Sequence, residues 1–279
     1  MTCNACAGSG VVITEAGDFA KAEVCPCHGE CKACKGARYT IVREGIYDVA
    51  HPCECVRRIS RVRLYNEAEL PARYAQKHLG PTSFEQRDNE SLRQARDAIG
   101  RYAVTMDPAM RGLVLSGGYG LGKTHLVCGL AASLTLKRGV PVRFVDYYGL
   151  LSRIRATFSR DGEPTRISET EHDIVRSLVE VPVLIIDDMG KGQGSAWELS
   201  ILDQVITRRY NTRRLIIATT NYLLEKDRGM AGPRAGESLE ARIGERLVSR
   251  LREACDVLVV AGDDYRVTAE VPKPAGVSP

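Results

Sequence analysis

The chain has 279 residues, 44% of them hydrophobic and 27% charged, and a formal net charge of +4. That length suits one large domain plus a small one, the composition is that of an ordinary globular chain, and the charge is too weak to imply a nucleic-acid partner by itself. No run approaches the ~18–20 apolar residues that span a bilayer and no apolar export segment opens the sequence, so the expectation is a cytoplasmic protein without membrane contact.

Eight of the ten cysteines fall within the first 55 residues, and the first leucine is Leu64. So small a segment without a leucine core needs metal or disulfides to fold, and reduced thiols favour metal. Cys3, Cys6, Cys25 and Cys27 repeat as Cys31, Cys34, Cys53 and Cys55 with a period of 28, and Gly8 repeats as Gly36. Each unit reads Cys-x2-Cys-x-Gly, a hairpin-like stretch, then Cys-x-Cys. The hairpins are expected at Val11–Ile13 turning at Gly17, and at Tyr39–Val42 turning at Glu44-Gly45.

Two thiolates a few residues apart reach one ion, and a second pair across a hairpin closes a tetrahedral four-sulfur site typical of structural zinc. Two Zn²⁺ ions are expected, each bound with roughly 10–16 kcal/mol, more than this sparse core supplies. Pairing within each repeat is preferred and crossed pairing stays open. His28 and His51 are read as bystanders. An iron–sulfur cluster fits less well, because nothing else in the chain points to electron transfer. The first unit, Cys3-Asn4-Ala5-Cys6-Ala7-Gly8-Ser9-Gly10, resembles the cysteine-rich unit of DnaJ-type chaperones, which implies the metal and not the chaperone role.

Residues 57–84 read as a basic linker: Arg57, Arg58, Arg61 and Arg63, a helical stretch to Leu70, and stops at Pro71 and Pro81. The arginines form either a solvated helix face or a nucleic-acid or partner contact.

Gly112–Ser116 is a short apolar strand running into Gly117-Gly118-Tyr119-Gly120-Leu121-Gly122-Lys123-Thr124, then a helical pattern from His125 to about Arg138. This is the strand–loop–helix setting of the phosphate-binding motif. Loop amides and the helix N-terminus face the phosphates, Lys123 reaches the β- and γ-phosphates, and the Thr124 hydroxyl ligates Mg²⁺. Residues 117–125 are thus the candidate ATP site. Val183–Ile186 is a continuous aliphatic run, read as a buried parallel strand, ending in Asp187-Asp188. Asp187 is expected to hold Mg²⁺ and Asp188 to polarise the attacking water. Leu215–Thr220 ends in Asn221, whose amide suits the γ-phosphate or the water. With Val142–Val145 and Val257–Val260 these strands make a five-stranded parallel α/β sheet flanked by helices.

From about Leu70 to Val267, about 70% of the chain, the sequence resembles the AAA+ ATPases of the DnaC/DnaI helicase-loader and IstB transposition-helper family. The resemblance rests on Ala68–Tyr74, Gly117–Thr124, Val183–Gly190, Trp197 through Arg209-Tyr210-Asn211, Thr219-Thr220-Asn221, Gly244–Leu251 and Gly262–Arg266. It implies a P-loop AAA+ (ASCE) three-layer domain over residues 85–270. A zinc-ribbon-like β-hairpin domain over 1–56 precedes it, and a tail over 271–279 follows. It also implies an arginine finger at Arg246 or Arg250, with Arg246 preferred, and a sensor arginine at Arg266. Because a finger acts in trans, head-to-tail self-association with ATP is expected. The resemblance further implies a single-stranded DNA path along an insertion bearing Arg153, Arg155, Arg160 and Arg166.

Where many relatives have Asp-Glu, this chain has Asp187-Asp188, one methylene shorter, and slow, switch-like hydrolysis is expected. The leading expectation is an ATPase that loads the replicative DNA helicase, with the zinc segment gripping the helicase or masking the ATPase until the helicase is bound. The alternatives are a transposition helper binding duplex DNA and a transposase, and a zinc-dependent nucleic-acid-binding regulator that uses nucleotide as a structural switch. Asp227–Glu240 reads as a loop, and Cys128 and Cys255 as buried small hydrophobes.

Overall fold

The structure, a computed structural model, describes residues 3–80, 90–105, 110–158, 170–192, 194–224 and 237–268. Pro81, Arg160, Arg166, most of the 227–240 stretch and the 271–279 tail lie outside them. Five parallel strands form the central sheet: β5 (Gly112–Ser116), β6 (Val142–Asp146), β7 (Val183–Asp187), β8 (Leu215–Thr220) and β9 (Cys255–Val259), in the order β6-β7-β8-β5-β9. The fifth strand begins two residues earlier than its aliphatic run. Arg111 pairs with Asp256 at 2.7 Å and holds that stretch in register beside Gly112.

Alternation along the strands divides the core in two. Leu113, Leu115, Ile185 and Ile217 face one helical layer, and Val114, Leu184, Ile186, Ile216 and Ala218 the other. The first layer holds α1 (Glu54–Glu67), α2 (Glu90–Thr105) and α3 (Lys123–Ser133), which continues as a wider turn to Arg138. The second holds α4 (Tyr147–Phe158), α5 (Glu171–Glu180), α6 (Ala196–Asn211), α7 (Leu239–Ile243) and α8 (Glu245–Ala254). This is the expected three-layer α/β architecture. The end of the expected 227–240 loop is helical, since Ser238 caps α7 by accepting from the Ala241 N–H.

The cysteine region forms two antiparallel hairpins, β1 (Val11–Ala16) with β2 (Phe19–Val24) and β3 (Tyr39–Glu44) with β4 (Tyr47–Pro52). The second turn falls one residue later than expected, at Gly45-Ile46. The helical stretch read within the basic linker is α1, and its end packs on the nucleotide domain. Tyr65, Ala68 and Leu70 are buried in the same core as Leu126 and Leu130 of α3 and Leu134 of the turn that continues it. Arg57 and Arg63 lie on the solvent face of α1, paired with Glu54 and Glu67. The basic run masked an apolar stripe too short to read without its partner surface.

The first hairpin docks on this layer through main-chain bonds. Ala20 N–H donates to the Leu70 carbonyl (2.7 Å) and Ala72 N–H to that of Asp18 (2.9 Å). Asn66 brackets Ala22, accepting from its N–H and donating to its carbonyl at 2.7 and 3.0 Å. In the second hairpin Tyr39, Ile41, Val42, Ile46 and Tyr47 are exposed.

Candidate functional site

The loop between β5 and α3 wraps the mouth of a cavity of about 520 Å³, a size that accommodates a small ligand. Only glycine fits at Gly117 and Gly120, both at positive φ. A Cβ there would run into the Val260 carbonyl and the Asp264 carboxylate respectively. Tyr119 stands half-exposed at the loop crest, while Leu121 is buried beneath it. His125 is also buried, its Nε2 3.3 Å from the His78 carbonyl.

Lys123 is 6% exposed, and its ammonium donates to the carbonyls of Gly117 (2.8 Å) and Gly118 (2.5 Å) and to Asn221 Oδ1 (2.8 Å). Burial pushes its pKa down to about 8, against the opposing charges of Asp188 and Asp187. The Thr124 hydroxyl lies 3.0 Å from both Asp187 oxygens, and Thr219 donates to Asp187 at 2.6 Å. Burial raises the Asp187 carboxyl to about 6, helped by the Asp188 charge and resisted by the two threonines. A buried carboxylate held up in this way, beside a hydroxyl and an open cavity, fits a hard divalent cation such as Mg²⁺.

Asp188 adopts φ +57, uncommon for a residue with a side chain. Its N–H donates to Thr219 Oγ1 (3.0 Å), and its carboxylate accepts from Asn221 (2.5 Å). Lys123, Thr124, Asp187, Asp188 and Asn221 therefore form one connected network. Arg266 lines the same cavity.

Arg246 and Arg250 lie on α8 and do not line it. The two differ in freedom: Arg250 is bound to Asp203 (3.0 Å) and Thr207 (2.7 Å), whereas Arg246 is 71% exposed, with Asp203 at 3.9 Å. In the insertion, Arg153 pairs with Glu69 (3.3 Å) and Arg155 with Glu198 (2.9 Å), over the Trp197 ring. These two arginines are engaged within the chain. Of the two tyrosines that open α4, Tyr147 is buried and Tyr148 is half-exposed.

Sequence reasoning missed several residues here. Thr219 ties both acids together, and the Thr-Thr-Asn run was its only signal. Arg242 holds the loop after β7 by donating to the Gly190 and Gly192 carbonyls (3.0 and 2.6 Å). Glu15 and Lys77 line the cavity from outside every motif singled out in the sequence, and Arg73 and Tyr74 from the Ala68–Tyr74 stretch, where no role was read for them.

The cysteines form two groups of four, Cys3/Cys6/Cys25/Cys27 and Cys31/Cys34/Cys53/Cys55, each with its sulfurs within 4.8 Å of one another. The closest pairs are 3.5–3.8 Å apart. That spacing is far from a disulfide's ~2.05 Å and near the roughly 3.8 Å edge of a tetrahedron with ~2.3 Å Zn–S bonds. Backbone N–H groups bring Cys6 and Cys31 down to about 7. Burial and the neighbouring sulfurs push Cys55 up to about 12, and the neighbouring Cys25 thiol above all raises Cys27. Four thiolates so close cannot all ionise without a cation among them, so the donor set fits a metal ion. His28 Nδ1 lies 3.0 Å from Cys27 Sγ, beside the first group but outside its four sulfurs, and His51 pairs with Glu44.

Comparison with known proteins follows this geometry. A sequence model of the IstB-like ATP binding protein family matches residues 51–271. The replicative helicase loader DnaC of Buchnera aphidicola is 27% identical over 180 residues, 64% of this chain and 66% of that one. Its Escherichia coli K12 counterpart is 26% identical over 167 residues, 60% of each. The chain thus spans slightly less than two thirds of these relatives. A crystal structure of the DnaC helicase loader superposes with a TM-score of 0.54 at 28% identity, covering 68% of this chain and 99% of the other. With its phosphate loop, its Asp187 strand and a family match across most of its length, the chain belongs to the DnaC/IstB family of P-loop AAA+ proteins.

Proposed function

We propose that this chain is an ATPase that loads the replicative DNA helicase. The P-loop AAA+ family implies nucleotide and Mg²⁺ binding and ATPase activity in general. The observation that carries the reading is the connected network from Lys123 and Thr124 through Asp187 and Asn221 to Asp188. It gathers at one cavity the groups this reading needs: a cation for the phosphates, an acid for the metal and a pair to orient water. Lys123 binds the phosphates, Thr124 and Asp187 hold Mg²⁺, Asn221 and Asp188 orient the water, and Arg266 reads the nucleotide in cis. Magnesium, when bound, neutralises charge on the phosphates.

Arg246 serves as the finger given to a neighbour, because Arg250 is already committed to Asp203 and Thr207. Copies therefore stack head to tail. Hydrolysis is slow because Asp188, shorter than glutamate, is held by Asn221 and Thr219. A fast single turnover, unchanged in Asp188→Glu, contradicts this. The helicase role is supported by the relatives named replicative helicase loader. The cysteine units, each with zinc, grip the helicase, and the AAA+ part binds single-stranded DNA.

The family match described as IstB-like favours a second reading, a transposition helper acting with a transposase on duplex DNA. Co-sedimentation of the full chain with ATP-Mg²⁺ separates them. Capture of a replicative helicase, strengthened by single-stranded DNA, is the expected result. Capture of a transposase on duplex DNA, with none of the helicase, overturns the loader reading.

A further inference from the structure

The two cysteine units are copies in sequence, yet they are used differently. The second begins α1, with Cys53 as its N-cap and Cys55 in its first turn, and leaves its hairpin exposed. The first is built into the nucleotide domain. Ala20 and Ala22 of β2 are 3% and 1% exposed and share a core with Leu126, Val127 and Cys128 of α3, the helix that follows the phosphate loop.

The hairpin holds the segment after α1 at several points. Ala20 and Asp18 bond to Leu70 and Ala72, a bridge joins Phe19 to Pro71, and Gln76 donates to the Ile13 carbonyl at 2.8 Å. The segment held in this way is a tight turn, Ala72–Tyr74, followed by Lys77. Tyr74 meets the Thr124 side chain, and Arg73 lies over the Tyr74 ring. Arg73, Tyr74 and Lys77 then line the nucleotide cavity, with Glu15 from the end of β1 beside them.

We propose that the first four-cysteine unit is part of the nucleotide site: its hairpin positions Arg73, Tyr74 and Lys77 at the Thr124 end of the cavity. Metal at Cys3/Cys6/Cys25/Cys27, and not at the second group, therefore sets nucleotide affinity. This rests on the P-loop cavity being a nucleotide site. The bistable element is the hairpin itself, because a hairpin this small is marginal without its ion. When it melts, the 72–77 segment loses its main-chain partners and the cavity loses two cations. Loss of the second ion frays only the first turn of α1, while Tyr65, Ala68 and Leu70 stay packed. Linkage makes the effect reciprocal: nucleotide must tighten metal at the first group.

The test uses the full, zinc-loaded chain and a fluorescent ATP analogue with Mg²⁺. Cys3→Ser/Cys6→Ser is expected to weaken nucleotide binding by about tenfold, within the usual range of coupling between sites. Cys31→Ser/Cys34→Ser should change it by less than about twofold on the same scale. Because the first variant loses part of a core, the wild-type chain supplies an independent arm. Under a chromogenic chelator, ATP-Mg²⁺ should slow release of one of the two zinc equivalents and leave the other unchanged. Equal effects from the two groups, or zinc release indifferent to nucleotide, overturn the proposal. A wild-type chain that takes up no nucleotide overturns the nucleotide site itself. One that binds nucleotide with an affinity indifferent to Cys3 and Cys6 overturns only the coupling.

Discussion

Replacing Lys123 by alanine is expected to weaken ATP binding by a factor between about 30 and several thousand, the worth of one partner in a desolvated charge pair. All three donors of the buried ammonium are already directed by the carbonyls of Gly117 and Gly118 and by Asn221. Its position is therefore set before a phosphate arrives, which limits the ordering cost, while the phosphate takes the place of at least one of these acceptors. Removing a cation whose burial is itself unfavourable should leave the fold intact. Equilibrium titration with labelled ATP, with a thermal melt of the same sample, separates the two effects. A variant that binds within threefold of wild type contradicts the placement of the triphosphate in this loop.

The second large effect concerns a residue far from the phosphates. Arg209, on α6, is fully buried, and its guanidinium donates to five carbonyls. Leu178, Val179, Val181 and Pro182 close the end of α5 and lead into β7, and Leu215 opens β8. The carbonyls at a helix C-terminus have no intrahelical donors and carry partial negative charge. One guanidinium both satisfies them and pins two neighbouring strands. Arg209→Met keeps the length and leaves those oxygens unpaired in the interior. The expected loss is about 3–5 kcal/mol, the scale of breaking a buried charged partnership. For a chain of this size that lowers the melting temperature on the order of 10 °C. Chemical denaturation giving a loss under 1 kcal/mol contradicts the role assigned to Arg209.

These two residues mark what the amino-acid order reveals and what it conceals. Lys123 announces itself because glycines, lysine and threonine stand at fixed spacing between an aliphatic strand and a helix. The five strands were legible for a similar reason: residues such as Val183–Ile186 are apolar on both faces only when sandwiched between layers. The cysteine groups were legible through their exact repetition. Arg209 was quoted only as part of a family signature, since nothing in a sequence says that an arginine points inward at carbonyls. Helix α1 was read as a helical stretch, but its packing was hidden because Arg57, Arg58, Arg61 and Arg63 obscure the short stripe ending in Tyr65, Ala68 and Leu70.

Docking of the first hairpin was hidden for another reason. It is made by main-chain bonds and by Ala20 and Ala22, which are small and carry no recognisable chemistry. The left-handed turn at Asp188 was equally silent: its partners Thr219 and Asn221 come from a strand more than 30 residues away. The Gly-Glu-Arg triplet favoured Arg246 over Arg250 through the family resemblance alone. The ties from Arg250 to Asp203 and Thr207 add a difference that the sequence does not show.

We propose a triphosphate held by one copy and completed by Arg246 of the next. Mixing two inactive variants tests it most directly. Lys123→Ala retains the finger without a working loop, and Arg246→Ala retains the loop without the finger. Each alone should hydrolyse ATP at background rates, while a mixture should regain activity, greatest near equal proportions, as complete sites form between unlike copies. A mixture that stays at background, or Arg246→Ala hydrolysing ATP alone at the wild-type rate, contradicts the shared site.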